Sequence, residues 1–79
     1  MENLTPASAA LLVKIIKSAE YEGEGEMMEA LIKFTKEERG NLTDLKKKGF
    51  VETAFDSDTP DYIWCILQDA SRPLYEAIH

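Results

Sequence analysis

The sequence predicts a small α+β domain, and the spacing of its apolar residues is the main reason. Near the amino terminus these residues recur at helical intervals, whereas between positions 51 and 67 they form two short runs separated by polar turn residues. The expected architecture is a three-helix core, a C-terminal two-stranded β-hairpin and a short last helix. The length of 79 residues suits one domain that covers residues 1–79.

The first helix is predicted at about residues 6–20. Thr5 is a suitable N-cap, and Pro6 fits the first helical position, where no backbone N–H is needed. One apolar stripe follows at helical spacing and contains Leu11, Leu12, Ile15, Ile16 and Ala19. The two glycines and repelling glutamates after it predict a loop at residues 21–25.

A second helix is predicted from Glu26 to Phe34. Its apolar face would consist of Met27, Met28, Leu31 and Ile32. Glu29 and Lys33 have the i,i+4 spacing of a stabilising ion pair on a helix. The acidic residues at its start would also favour the positive end of the helix dipole.

A third helix is predicted from the capping-box pattern of Thr35 and Glu38. The pair Gly40-Asn41 weakens the middle of this helix, so an alternative is that the pair forms a turn and the helix covers only residues 42–48. In both cases Gly49 is expected to end the helix in the left-handed conformation, directly after three lysines.

Two strands and a last helix are predicted after Gly49. Val51–Phe55 and Tyr62–Leu67 have strand composition, and the segment Asp56–Asp61 between them contains turn residues throughout. A short helix should begin at Ser71-Arg72-Pro73.

The second predicted strand is apolar on both faces. Tyr62, Trp64 and Ile66 would share one face and alternate with Ile63, Cys65 and Leu67 on the other. One of the two faces must cover the helices, and the other could lie under the last helix or form an interface; burial in the core is the favoured interpretation for both. Cys65 is the only cysteine, so a packed, unreactive thiol is expected.

Charge is unevenly distributed along the chain. Residues 33–48 contain six bases and three acids, a local charge of +3, whereas the whole chain has a net charge of −6. A polyanion would therefore be repelled by the chain as a whole and attracted by one segment. The acidic run from Glu20 to Glu29 lacks the spacing of a calcium loop, so a solvated loop is the favoured interpretation.

The sequence predicts no catalytic, metal or cofactor site. Its only histidine is His79, and it contains no glycine-rich phosphate loop or nucleophile motif. The apolar stretch at residues 9–16 is interrupted by Lys14 and is too short to span a bilayer. A non-enzymatic, cytoplasmic protein that has no membrane association is therefore expected.

The segment Leu42–Glu52 resembles the L–x–x–L–x–x–K–G–hydrophobic–hydrophobic–E run of MarR-like and related bacterial winged-helix regulators. The resemblance implies a winged-helix domain in which the helix at 35–48 recognises DNA. It also implies that the hairpin is the wing and that residues 56–61 are the wing tip. The core positions implied by the resemblance are Leu42, Leu45, Phe50 and Val51.

The first functional hypothesis is therefore DNA binding in transcriptional control. A homodimer is part of this hypothesis. The residues proposed to contact DNA are Lys36, Arg39, Asn41, Thr43, Lys46 and Lys47. Arginine can pair with guanine and asparagine with adenine, and lysines contact phosphates. The same residues also fit a solvated helix face whose lysines complement the helix dipole.

The alternative hypothesis is an acidic protein-interaction module, such as an adaptor or a phage or mobile-element inhibitor, that does not bind DNA itself. It rests on the predicted tip of the hairpin, which contains Asp56, Asp58 and Asp61 where wings that grip DNA usually contain Arg or Lys. An acidic tip suits a basic protein surface.

Overall fold

The computed structural model describes residues 4–21 and 28–78, with the backbone alone at 20 and 21. Within these residues the chain forms three α-helices, four β-strands and one 3₁₀ turn. In chain order they are α1 (Pro6–Ser18), β1 (Glu20–Tyr21), β2 (Met28–Lys33), α2 (Lys36–Lys47), β3 (Val51–Phe55), β4 (Tyr62–Leu67), the 3₁₀ turn Asp69–Ser71 and α3 (Arg72–Ile78). The prediction of a small α+β domain is confirmed.

The strands form one antiparallel sheet in the order β1-β2-β4-β3. Each of the first two helices is followed by a pair of neighbouring strands, so the topology is two successive αββ units whose second strands meet at the centre of the sheet.

The predicted helix at 26–34 is wrong, because residues 28–33 form strand β2. Burial alternates along the strand, with Met28, Ala30 and Ile32 buried. Five residues of β2 pair with β4. The prediction of an ion pair between Glu29 and Lys33 assumed the i,i+4 spacing of a helix, and this spacing does not apply on a strand. The predicted start of this helix and most of the predicted loop at 21–25 lie outside the described residues.

Both predicted helix starts on threonine are confirmed. Thr5 Oγ1 accepts a hydrogen bond from the Ser8 N–H at 3.2 Å, and Thr35 forms the complete capping box. Helix α2 runs through Gly40-Asn41 without a break, so the alternative of a turn there is wrong. Gly49 ends the helix with φ +81°, a conformation that favours glycine.

The two strands predicted after Gly49 and the last helix are confirmed. The predicted hairpin is not a separate two-stranded wing, however. Strand β4 pairs with β3 on one side and with β2 on the other, and therefore lies inside the sheet. Ser71, which is buried, fixes the start of α3 by donating its hydroxyl to the Phe50 carbonyl at 2.7 Å.

The core lies between the helices and one face of the sheet. On that face Val51, Cys65 and Leu67 are buried, together with the β2 residues described above. They pack with Leu12, Ile15 and Ile16 of α1, Leu42 and Leu45 of α2, and Tyr75 of α3.

Burial of the opposite face of β4 was also expected, and that expectation is wrong. Tyr62 is exposed, and Trp64 and Ile66 are partly exposed. We call the side of the sheet that carries these three residues the open face. Among the described residues, no helix is long and apolar enough to cross a membrane.

Candidate nucleic-acid interface

Helix α2 is held against α1 by its acidic side chains. Glu38 Oε1 accepts the Thr35 N–H at 2.9 Å, and Glu38 Oε2 accepts Lys14 Nζ at 2.7 Å. These two bonds hold the pKa of Glu38 below its usual value, and the bond from Lys14 has the larger effect. The carboxylate that closes the capping box therefore also joins the two helices.

A second polar contact links α1 to the other end of α2. The buried Ser8 hydroxyl donates to Asp44 Oδ2 at 2.9 Å, and Lys48 Nζ lies 3.2 Å from Asp44 Oδ1. The hydrogen bond from Ser8 is the main reason why the pKa of Asp44 is below its usual value. Two of the three acids on α2 are thus used within the domain.

The bases of α2 lie on the side turned away from α1. At about 100° per residue, five of the six residues proposed to contact DNA share an arc of about 100°. We call this surface the basic face; it contains Lys36, Arg39, Thr43, Lys46 and Lys47, all exposed. Its four bases make no ion pair with any side chain that the structure describes. The third acid, Glu37, lies outside this arc.

Two residues in the middle of α2 refine this picture. Asn41, the sixth proposed contact, is half-buried and lies about 120° away from Lys47, so the helix does not bring it onto the basic face. Gly40 adjoins the basic face instead. A Cβ atom built at Gly40 would meet no described atom within 4 Å. The backbone is therefore open to close approach at this point.

The hydroxyl of Thr43 is engaged within α2. It donates to the Arg39 carbonyl at 3.0 Å, a local bond that Thr often forms inside helices. Its oxygen keeps acceptor capacity, but the proton is used. A contact from Thr43 to a phosphate oxygen would require this bond to break.

One aspartate of the acidic loop between β3 and β4 forms a hydrogen bond within that loop. Asp56 Oδ1 accepts the Asp58 N–H at 3.0 Å, and Asp56 is half-buried. Asp58 and Asp61 are exposed. The three proposed protein-binding residues therefore divide into one that holds the turn and two that face solvent.

The described residues provide no further candidate centre. Cys65 is fully buried, and burial raises the pKa of its thiol to about 12, so the reactive thiolate is not populated at neutral pH. Within residues 4–21 and 28–78 there is no group of three or more His, Cys, Asp or Glu that could hold a metal ion. His79 and residues 22–27 of the acidic run lie outside the part described.

Sequence patterns predicted where the bases of α2 lie but did not predict which residues of α1 contact its acids. Lys14 and Ser8 lie 24 and 36 residues from the acids that they contact, and no local spacing predicts such pairs. No protein-family model matches the chain, and no curated protein or solved structure matches it significantly.

Proposed function

We propose that this chain is a non-enzymatic DNA-binding regulator that contacts phosphates through the basic face of α2. The observation that carries the proposal is that two of the three acids of this helix are bonded within the domain, whereas its bases are exposed. Its acids Glu38 and Asp44 are bonded to α1 or to Lys48, whereas four bases project from the side of the helix that is turned away from α1. Such a surface attracts a polyanion even though the whole chain has a net charge of −6.

The dimensions of α2 suit a DNA groove. Its 12 residues span about 18 Å, and the major groove admits one α-helix. Lys36 and Lys47 lie near opposite ends of the basic face, so they can approach phosphates on either side of the groove. Arg39 lies between them, beside the open backbone of Gly40, and is the residue proposed to contact a base.

The order of elements around α2 supports a docking mode like that of winged-helix domains. The helix passes through Gly49 into β3, and a loop and β4 follow, as a recognition helix is followed by its wing. Strand β2 occupies the place where a helix-turn-helix has its preceding helix. In this proposal β2 and α1 support α2.

The test is fluorescence anisotropy of a labelled random duplex, titrated with protein at about 50 and 200 mM salt. Three phosphate contacts, from Lys36, Lys46 and Lys47, predict a slope of log K against log salt of about −2.7, and therefore a loss of roughly 40-fold in affinity between the two salt concentrations. Lys47→Gln should reduce the magnitude of the slope by about 0.9. The matched control is Lys33→Gln, which removes the same charge from the open face and should leave the slope unchanged.

Arg39 needs a separate measurement because it is proposed to recognise sequence. Arg39→Ala should reduce the affinity difference between the preferred site and a random duplex by about 10-fold or more, corresponding to loss of one bidentate base contact. Equal effects of Arg39→Ala on both duplexes would limit Arg39 to a phosphate contact. No duplex binding at 50 mM salt would contradict the proposed function itself.

A second candidate function rests on the exposed aspartates of the loop. Asp58 and Asp61 face solvent on an acidic chain, and this suits a basic protein surface. The variant that tests it is Asp58→Asn with Asp61→Asn, since Asp56 is needed for the turn. Loss of binding to a defined basic partner, together with unchanged duplex affinity, would favour this function over DNA binding.

A further inference from the structure

We infer that the open face of the sheet is a surface for self-association, and that a second copy of this chain packs on it, sheet against sheet. The inference starts from the unequal burial of the two faces. Met28, Cys65 and Val51 lie on the helix side and are at most 1% exposed. On the open face, none of the described side chains is buried.

The open face has an apolar centre. The strand register places Leu31, Trp64 and Ala54 side by side in one row across β2, β4 and β3. Tyr62 and Ile66 extend this centre along β4 in both directions. Large apolar side chains on β2 and β4, with the small Ala54 beside them on β3, form a continuous patch, and contiguous exposed apolar surface is a feature of interaction sites.

The two ends of the open face carry opposite charge. Lys33 lies beside Tyr62 at one end, and Glu29 and Glu52 flank Ile66 at the other. A second copy related by a two-fold axis that runs across the strands would place the lysine end of one sheet over the Glu29 end of the other. Trp64 would then lie over Trp64, because a residue on the axis meets its own copy.

The shape of the domain is consistent with a missing layer. The chain measures 35 × 33 × 18 Å, and its short dimension accommodates one layer of helices and one sheet. A second sheet stacked about 10 Å away would complete a four-layer arrangement with helices outside. Charge complementarity favours a second copy of this chain as the occupant.

The size of the patch sets the strength of the contact. Three strands about 4.8 Å apart and five residues at about 3.3 Å each give a face of roughly 14 by 17 Å. This is well below the ~800 Å² per partner of a standard stable interface, so the dimer belongs to the weak, reversible class. The measurement must therefore extend to high protein concentration.

The test is sedimentation equilibrium of the full chain from about 5 to 500 µM, a range that brackets weak association. Trp64, the only tryptophan, reports on the same surface through its emission wavelength. We expect a monomer–dimer equilibrium and a blue shift of the emission as the dimer forms. A monomer at all concentrations with unchanged emission would overturn the inference.

Two substitutions of the same kind locate the contact. Leu31→Lys places a charge in the centre of the open face and should abolish the dimer. Phe55→Lys makes the same change at a residue that is 84% exposed at the edge of the sheet, outside the open face, and should leave the dimer intact. A dimer that is lost with Phe55→Lys and kept with Leu31→Lys would assign association to the β3 edge and overturn the inference.

A charge exchange tests the orientation of the two copies. Its second step restores the contact, and so distinguishes a lost contact from a misfolded chain. Lys33→Glu should weaken the dimer, and addition of Glu29→Lys should restore it. The inference is independent of the proposed function, since the dimer would place the two α2 helices in opposite outer layers. Leu31→Lys should therefore abolish the dimer and leave duplex affinity per chain unchanged. A wild-type chain that binds duplex but stays monomeric would contradict this inference alone, and one that dimerises but does not bind duplex would contradict the proposed function alone.

Discussion

Substitution of Gly40 by alanine should stabilise the domain, although glycine is the native residue. Gly40 is exposed in the middle of α2, and a Cβ atom there would meet no described atom within 4 Å. Alanine is favoured over glycine by about 0.8–1.0 kcal/mol inside a helix, and no clash reduces this gain. For 79 residues, an unfolding entropy near 2.1 cal/mol/K per residue converts 1 kcal/mol into a Tm increase of roughly 6 °C.

Gly49→Ala is the matched control and should have the opposite sign. The Cβ built at Gly49 also meets no described atom within 4 Å, but its φ is +81°. A residue with a side chain costs about 1–2 kcal/mol in the left-handed region. The two variants thus differ in backbone conformation and not in available space.

The assay is urea unfolding of both variants and the wild type, followed by circular dichroism, with thermal melts as a second measure. Gly40→Ala should raise the urea midpoint at constant m, and Gly49→Ala should lower it. If Gly40→Ala is neutral or destabilising, the continuous, solvent-facing α2 described above is incorrect at this position. In the duplex assay, weaker binding by this more stable variant would support close approach of DNA at Gly40.

Further changes test the contacts that hold the elements together. The folded-state pKa values of Glu38 and Asp44 lie below their ordinary values of 4.5 and 3.8. The unfolding free energy should therefore fall as the pH drops through and below these values. Urea melts of the double variant Glu38→Gln with Asp44→Asn should show a shallower fall with pH. Ser71→Ala removes a hydrogen bond to the Phe50 carbonyl and should lower the unfolding free energy by about 1 kcal/mol in the same assay. Thr59→Val should be neutral or raise it by up to about 1 kcal/mol, since Thr59 Oγ1 is buried without a hydrogen-bond partner among the described residues; a clear loss would indicate that the hydroxyl is satisfied.

Local signals predicted the starts of α1 and α2 and the end of α2, whereas α1 ends at Ser18 and not at the predicted residue 20. The threonine caps of α1 and α2 and the left-handed Gly49 depend on residues within a few positions, so the sequence contains what is needed to place them. The placement of the bases on α2 follows in the same way, because any residue pattern on a continuous helix has a fixed angular distribution. Only Asn41 falls outside the proposed surface.

The error at β2 arose where two periodicities compete. Leu31 and Ile32 fit a helical face, whereas the buried residues are Met28, Ala30 and Ile32 at strand spacing. Pairing with β4, at 29 to 37 residues along the chain, decides between them, and a single sequence does not reveal such pairing. The same limit applies to the open face: which side of β4 the helices cover depends on the whole topology.

The most direct test of the DNA-binding account is a ¹H–¹⁵N correlation spectrum of the protein titrated with a short duplex at low salt. The account predicts that the amide signals of Lys36, Arg39, Gly40 and Lys47 shift progressively, while those of Asp58 and Asp61 stay in place. Shifts confined to the loop or to the open face, or no shifts at any ratio of duplex to protein, would contradict the assignment of the basic face as the binding surface.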